Sequence, residues 1–262
     1  MKLTTDTPIT LRLPDFARVH LVLVGAGGTG SHIATGLAAL SLELTARGTA
    51  CTVDIVDPDK VERKNIGRQL FCAADLGKFK AVVLAERLRG AYRLPAAEIP
   101  APFSAPMVAP AARTLTVIVG AVDNPAARAE MAAAVERGAG SVWWLDAGNE
   151  NHSGQVALGN ALQVAPALGF VDSLPAPHVV YPDLVAAPKA KKRAASCADA
   201  TAEGTQGLMV NRMAAAWALA LLHDFLLDTV RYFAVDFDLR HAGVRSRALT
   251  TNELAPWTKA RR

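Results

Sequence analysis

A buried strand that runs directly into a glycine-rich turn is the feature that most constrains the fold. Residues 19–24 form an apolar run broken only by His20, and GAGGTG follows at residues 25–30. An apolar helix is expected from about Ser31 to Ala46. Continuous apolar strands are typical of parallel sheets that are buried on both faces. This junction therefore predicts the first β-turn-α unit of a layered α/β fold.

The alternation of apolar strands and helices continues along the chain. The 153–160 strand is expected to form a hairpin with its predecessor, and a second hairpin is expected near the end of the chain. This order predicts an α/β, Rossmann-like, doubly wound and mostly parallel sheet with C-terminal antiparallel strands. The further expected strands are 50–59, 97–103, 114–122, 141–146, 153–160, 232–238 and 243–249, and the further helices are 76–93, 125–138 and 207–227.

One long segment breaks this pattern. Five prolines fall between residues 163 and 206, together with the basic run KAKKR at 189–193. Long irregular segments inside a compact domain are usually functional or disordered. We predict a single domain over residues 1–262 with a Pro-rich, basic crossover loop at about 163–206, and a loose terminus from Asn252.

Composition restricts the possible classes of protein. The chain is 51% hydrophobic with a net charge of +4, so it can form a large core and does not require a nucleic-acid partner. Three scattered cysteines do not form a disulfide framework, which favours a reducing compartment. No signal segment or membrane-length apolar run is visible. We therefore expect a cytoplasmic protein without a membrane or nucleic-acid partner.

The glycines have the spacing of a nucleotide-binding turn. Gly25, Gly27 and Gly30 match GxGxxG between a strand and a helix. In this arrangement the glycines allow a tight turn, the approach of a phosphate and close helix packing, while the helix N-terminus attracts an anion. The turn predicts a nucleotide but leaves NAD, FAD, S-adenosylmethionine and ATP open.

The end of the next strand favours a triphosphate. Asp57 stands where a carboxylate can accept hydrogen bonds from a ribose. Asn65, Arg68, Gln69 and Lys80 then form a polar, basic group. The two cations, Arg68 and Lys80, suit phosphate oxygens better than a nicotinamide ring. Arginine can donate two hydrogen bonds to such oxygens, and lysine adds a point charge.

Five elements in order resemble the ThiF/MoeB family, which includes the adenylation domains of ubiquitin-activating enzymes. The resemblance covers about residues 18–160 and, more loosely, 197–250. More narrowly, the chain resembles the ThiF-related protein of the plasmid-borne ParB-related, ThiF-related cassette. The elements are GAGGTG (25–30), DPDKVERKNIGRQ (57–69), DLGKFK (75–80), VDNPAAR (122–128) and LDAGNENHSGQV (145–156).

This resemblance implies a site for ATP and Mg²⁺. Asp57 would hold the ribose, Asp59 would support the site and Gln69 would support its loop. Asp123 would bind Mg²⁺ or position ATP and, with Arg68 and Lys80, would be catalytic. The residues implied to contact the phosphates are Gly25, Gly27, Gly28, Gly30, Asn65, Arg68 and Lys80.

The implied reaction is adenylation of the C-terminal carboxylate of a small ubiquitin-like or sulfur-carrier protein that ends in glycine. A homodimer is also implied. Cys197, beside a basic run and before a helix, could then take the acyl group as a thioester; the alternative is an incidental thiol. Many relatives carry two CxxC pairs for zinc, and this chain has none, so we predict no structural zinc.

Two other functions remain open at this point. A nicotinamide or flavin oxidoreductase could use the same glycine turn, although Arg68 and Lys80 would then have no role. A non-catalytic ATP-binding module could retain the fold. Two further expectations concern side chains: one of Trp143 and Trp144 is expected in the core while the other could face a partner, and His178 is expected to be solvated.

Overall fold

The computed structural model describes residues 6–167, 169–186 and 208–258. Its strands are β1 Thr10–Leu11, β2 Arg18–Val24, β3 Ala50–Val56, β4 Ala96–Ile99, β5 Thr114–Gly120, β6 Val142–Asn149, β7 Ser153–Gly159, β8 Phe170–Val171, β9 Tyr232–Asp238 and β10 Gly243–Ala248. Its α-helices are α1 Gly28–Ala46, α2 Lys80–Tyr92, α3 Pro125–Arg137, α4 Pro177–Val180, α5 Leu208–Leu226 and α6 Thr251–Leu254.

Eight strands form the central sheet in the order β10-β9-β7-β6-β5-β2-β3-β4. The strands from β4 to β6 pair in parallel, whereas β7, β9 and β10 are joined by antiparallel pairing. The chain moves outward from β2 through β3 to β4 and then returns to β5 on the other side of β2. The predicted Rossmann-like sheet with C-terminal antiparallel strands is therefore confirmed.

Alternate residues of β2 enter two separate cores, as the period of two in a strand requires. Leu21 and Leu23 belong to a core that also contains apolar residues of α1, α2 and α5. Val22 and Val24 belong to a second core with residues of α3. Helices thus cover both faces of the sheet. None of the helices in the described ranges is long and apolar enough to cross a membrane.

Several element boundaries differ from the sequence expectation. The helix expected from residue 76 begins at Lys80, because a short 3₁₀ turn and a bend occupy 73–79. The strand expected over 97–103 is β4, which ends before Pro100 because proline has no N–H to donate to a sheet.

The chain terminus is more ordered than expected. Residues 251–257 form two short helical turns, and Leu254 is fully buried. Trp257 lies edge-on to Phe233 with ring centroids 5.8 Å apart. The expectation of a loose terminus from Asn252 was therefore wrong for residues 252–258, since these aromatic and apolar contacts hold the segment against the core.

The two adjacent tryptophans are both buried. Trp143 packs against Phe225 at a centroid distance of 4.7 Å, and Trp144 stacks on His178 at 5.9 Å. The expectation that one tryptophan could face a partner was wrong, because helices cover both faces of β6. His178 was also wrongly expected to be solvated: its side chain is only 12% exposed.

The burial of His178 makes stability depend on pH. Neither ring nitrogen has a hydrogen-bond partner among the described residues, and burial lowers the pKa of His178, opposed by Glu136 at 3.7 Å. Between this lowered value and the pKa of about 6.5 in an unfolded chain, the unfolded state binds more protons. The free energy of unfolding should therefore fall as pH falls through that window.

We expect His178→Phe to reduce this pH dependence, because phenylalanine keeps the stack on Trp144 and cannot titrate. Denaturant unfolding from about pH 7 to about pH 5 measures the effect. His152→Phe, at an exposed turn position, is the control. An unchanged slope in His178→Phe would show that the buried imidazole is not the cause.

Candidate functional site

The candidate site lies at the carboxyl edge of the parallel strands. The glycine turn 25–30 follows β2, and Asp57 follows β3. Asp123 comes shortly after β5, on the other side of β2, and Asn149 ends β6. Since β3 and β5 flank β2, the chain reverses its winding direction here. Ligands of open α/β sheets bind at this kind of switch point.

Two glycines of the turn are required by the fold itself. Gly25 has a φ of +94°, and a Cβ on it would lie 2.5 Å from the carbonyl oxygen of Ala121. A Cβ on Gly30 would lie 1.8 Å from the carbonyl oxygen of Gly25. Any side chain at either position would collide with backbone. The tight turn and close helix packing that the motif predicted are therefore present.

Gly27 meets no such obstacle. A Cβ on this residue would have no heavy atom within 4 Å, so the side of the turn that it faces is open. Gly27 is also the N-cap of α1 and makes no side-chain capping bond, and the first turn of α1 contains no acidic residue. The N-terminus of this 19-residue helix thus lies next to an open space, where an anion would be stabilised.

Asp57 fastens this turn to the end of β3. Its Oδ2 accepts a hydrogen bond of 2.6 Å from the backbone N–H of Ala26, and its Oδ1 accepts one of 2.8 Å from the N–H of Asp59. Burial raises the pKa of Asp57, while the bond from Ala26 and the nearby charge of Lys80 oppose that rise. The carboxylate predicted to hold a ribose therefore also supports the glycine turn.

Lys80 and Asn65 hold the segment after β3. The ammonium of Lys80 lies 2.9 Å from Oδ2 of Asp59, and its side chain is 8% exposed against 64% for Asp59. Asn65 is buried, and its Oδ1 accepts a hydrogen bond of 2.8 Å from the N–H of Glu62. Asn65 thus caps the short helical turn 63–65, whereas Lys80 places a cation near Asp57.

Arg68 and Gln69 lie beside a neighbouring cavity of about 580 Å³ between α1 and α2. Nε of Arg68 donates to the carbonyl oxygen of Lys64 at 2.8 Å. Oε1 of Gln69 is buried and accepts no hydrogen bond from the described part of the chain. The same cavity is bordered by His32 and Arg212, and burial lowers the pKa of His32.

Asp123 and Arg128 occupy different environments although both belong to VDNPAAR. Asp123 is exposed just beyond β5, where its carboxylate can face a ligand. Arg128 is buried in α3, and its Nε donates to Oδ1 of Asp146 at 3.1 Å. Burial raises the pKa of Asp146, and the charge of Arg128 opposes that rise. Gly148 leaves room for this arginine, since a Cβ there would lie 3.0 Å from its Nη2.

Three polar residues at the glycine turn were missed by the sequence analysis. The hydroxyl of Thr29 lies 3.1 Å from Oδ1 of Asn149 and 3.2 Å from Oδ1 of Asn211. Nδ2 of Asn149 donates to Oδ1 of Asn211 at 3.0 Å. Asn211 belongs to α5, so only the tertiary structure brings it here. Gly28 was a partial sequence signal of this close approach, because the GxGxxG pattern does not require a glycine at that position.

The remaining predicted groups are a metal and a nucleophile. Cys197 lies outside the described residues. Within the described ranges, no three or more His, Cys, Asp and Glu side chains form a metal-binding group. Asp123 is an exposed carboxylate, which suits Mg²⁺ held mainly by phosphate oxygens and water rather than by a protein cage.

The glycines should separate into two classes when each is changed to alanine. Gly30→Ala should lose about 3 kcal/mol of unfolding free energy, because its Cβ meets backbone. Gly27→Ala should lose clearly less than Gly30→Ala, because its Cβ meets no heavy atom within 4 Å. Urea denaturation measures both, and equal losses would contradict the geometry.

The buried pair of α3 and β6 should behave as a unit. Arg128→Leu should lose about 3–5 kcal/mol of unfolding free energy, because it leaves the carboxylate of Asp146 buried without its partner. The double variant with Asp146→Leu should recover a large part of that loss. Chemical denaturation of both variants gives the answer. If Arg128→Leu leaves the unfolding free energy unchanged, the carboxyl group of Asp146 is already neutral in the folded protein.

Solved structures support this architecture. Escherichia coli MccB with ATP superposes with a TM-score of 0.59 at 18% identity, over 88% of this chain and 64% of MccB. The microcin C7 biosynthetic enzyme MccB in complex with N-formylated MccA gives 0.60 at 18% identity, with the same coverages. PaaA gives 0.59 at 13% identity, over 89% of this chain and 64% of PaaA. At these identities the likeness establishes the fold.

The chain spans 64% of the length of MccB. No curated protein sequence matches it significantly. The model of the ThiF family matches residues 12–255. That match covers nearly the whole sequence and confirms the resemblance carried by the five motifs. The protein therefore belongs to the ThiF family.

Proposed function

We propose that this protein is an enzyme that uses ATP to adenylate a carboxylate at the C-terminus of a peptide or small protein. The observation that carries the proposal is the open face of the glycine turn at Gly27, where the N-terminus of α1 can accept phosphate. Lys80 adds a buried cation close to Asp57. The similarity to MccB, whose structure was solved with ATP, supports the same nucleotide.

The reaction requires charge neutralisation more than a protein nucleophile. A carboxylate is already ionised at neutral pH, so it needs no general base. Its oxygen attacks the α-phosphorus, the bond from that phosphorus to the bridging oxygen breaks, and pyrophosphate leaves with the electron pair. Lys80, Arg68 and the first amides of α1 would stabilise the negative charge that develops on the phosphate oxygens.

The other predicted residues take supporting roles. Asp57 would accept hydrogen bonds from the ribose with its remaining lone pairs while it holds the glycine turn. Asn65 and Gln69 would shape the loop that carries Arg68, and Asp59 would orient Lys80 through their 2.9 Å contact. Mg²⁺ held at Asp123 would offset the charge of the phosphates when ATP is bound.

The identity of the protein that supplies the carboxylate is the finer part of the proposal. We infer a ubiquitin-like or sulfur-carrier protein that ends in glycine, and MccB in complex with N-formylated MccA is a related case of a recognised partner. If Cys197 acts, its thiolate attacks the acyl carbon, AMP leaves and a thioester forms. The homodimer, cytoplasmic location, single domain and cassette-type relationship stay predictions.

ATP–pyrophosphate exchange tests the proposal, with candidate small proteins ending in Gly-Gly from neighbouring genes as the probe. Asp123→Ala should reduce exchange by about 100-fold or more, because charge stabilisation in the transition state is lost. Asp15→Ala removes an exposed carboxylate before β2, at the opposite edge of the sheet, and is the matched control.

Three results would contradict parts of this function. Equal exchange in both variants would remove Asp123 from the site. Tight ATP binding without exchange for any probe would favour a non-catalytic binding module. A nicotinamide or flavin absorbance in the purified protein would favour an oxidoreductase.

A further inference from the structure

Asn211 approaches the glycine turn from a distant part of the chain. It lies in the first turn of α5, and it is joined to Thr29 of α1 and Asn149 of β6 by hydrogen bonds of 3.0 to 3.2 Å. Helices α1 and α5 pack closely, since a Cβ on Gly36 would lie 2.2 Å from Cδ1 of Leu219. The position of Asn211 is therefore fixed by both packing and polar contacts.

These contacts also fix how the amide of Asn211 is turned. Its Oδ1 accepts from Nδ2 of Asn149 at 3.0 Å and lies 3.2 Å from the hydroxyl of Thr29, whose single proton it shares with Oδ1 of Asn149. Nδ2 of Asn211 must then point away from this pair. It has no acceptor among residues 6–167, 169–186 and 208–258.

The amide nitrogen of Asn211 lies against the glycine turn. A Cβ on Gly28 would stand 2.6 Å from Nδ2 of Asn211 and 2.8 Å from its Cγ. Gly28 is the first residue of α1, beside the open face at Gly27. The amide nitrogen thus stands next to the N-terminus of α1 and the open space at Gly27.

We propose that Asn211 is an additional phosphate-binding residue, whose Nδ2 donates to an anionic oxygen seated at the N-terminus of α1. The inference rests on the proposed function in taking that anion to be a phosphate of ATP. Thr29 and Asn149 are positioning residues, because they act by orienting the amide. This role also explains Gly28: only a residue without a side chain lets the amide come this close to the turn.

Asn211→Asp is the decisive change. Aspartate has the same shape and keeps an oxygen for Thr29 and Asn149, but it replaces the donor by a negative charge. We expect the Kd for ATP to rise about 10-fold or more, as for loss of a hydrogen bond to a charged group. The Kd for adenosine, which has no phosphate, should change less than about threefold on the same reasoning.

Two further variants separate this role from a structural one. Gln163→Glu makes the same amide-to-acid change at an exposed position after β7 and should leave the Kd for ATP unchanged. Thr29→Val removes the hydroxyl that orients Asn211 and should weaken ATP binding less than Asn211→Asp does. The melting temperature of Asn211→Asp should match that of the wild type.

Inorganic pyrophosphate is the second probe and separates this inference from the proposed function. If the wild type binds pyrophosphate but not ATP, the proposed function fails, and a weaker pyrophosphate affinity in Asn211→Asp still supports the phosphate contact. Unchanged affinity for both anions overturns the inference. Equal weakening of ATP and adenosine also overturns it, and binding of neither anion by the wild type overturns both proposals.

Discussion

The carboxylate of Asp57 joins the turn after β2 to the turn after β3 by accepting one backbone hydrogen bond from each. The rest of the candidate site depends on this bridge, because it sets where the glycine turn stands relative to Lys80 and Asp59. A buried carboxylate is unfavourable unless it is satisfied by donors or cations. Here the N–H groups of Ala26 and Asp59 donate to the carboxylate, and the charge of Lys80 lies nearby. The same buried carboxylate therefore fixes the backbone and contributes to the charge distribution at the carboxyl edge of the sheet.

The sequence allows prediction of features that depend on neighbouring residues or on the order of the strands. The positions of Gly25 and Gly30 are set by the geometry of one strand-turn-helix unit, and Asp57 is placed by the end of the neighbouring strand. The cap formed by Asn65 was missed because an asparagine at that spacing serves equally well as a ligand contact or as a local turn. Asn211 was out of reach, because its contact with Thr29 spans 182 positions.

The second face of the sheet shows another limit of sequence reasoning. Trp144, Asp146 and Arg128 look like ordinary members of an apolar strand and a surface helix. In the structure, Arg128 turns inward to the fully buried Asp146, and His178 covers Trp144. A charge pair of this kind gives little net stability, yet it is strongly unfavourable to break. It therefore favours one arrangement of α3 over alternatives that an apolar interface would tolerate.

The contact between α5 and the glycine turn has a consequence for synthesis. The turn occupies residues 25–30, while Asn211 and Leu219 belong to α5, Leu208–Leu226. During translation, the N-terminal β-α-β unit leaves the ribosome long before this helix exists, and contacts of such high sequence separation form late. The glycine turn is therefore made well before the helix that completes its surroundings, which delays a complete site until α5 has emerged.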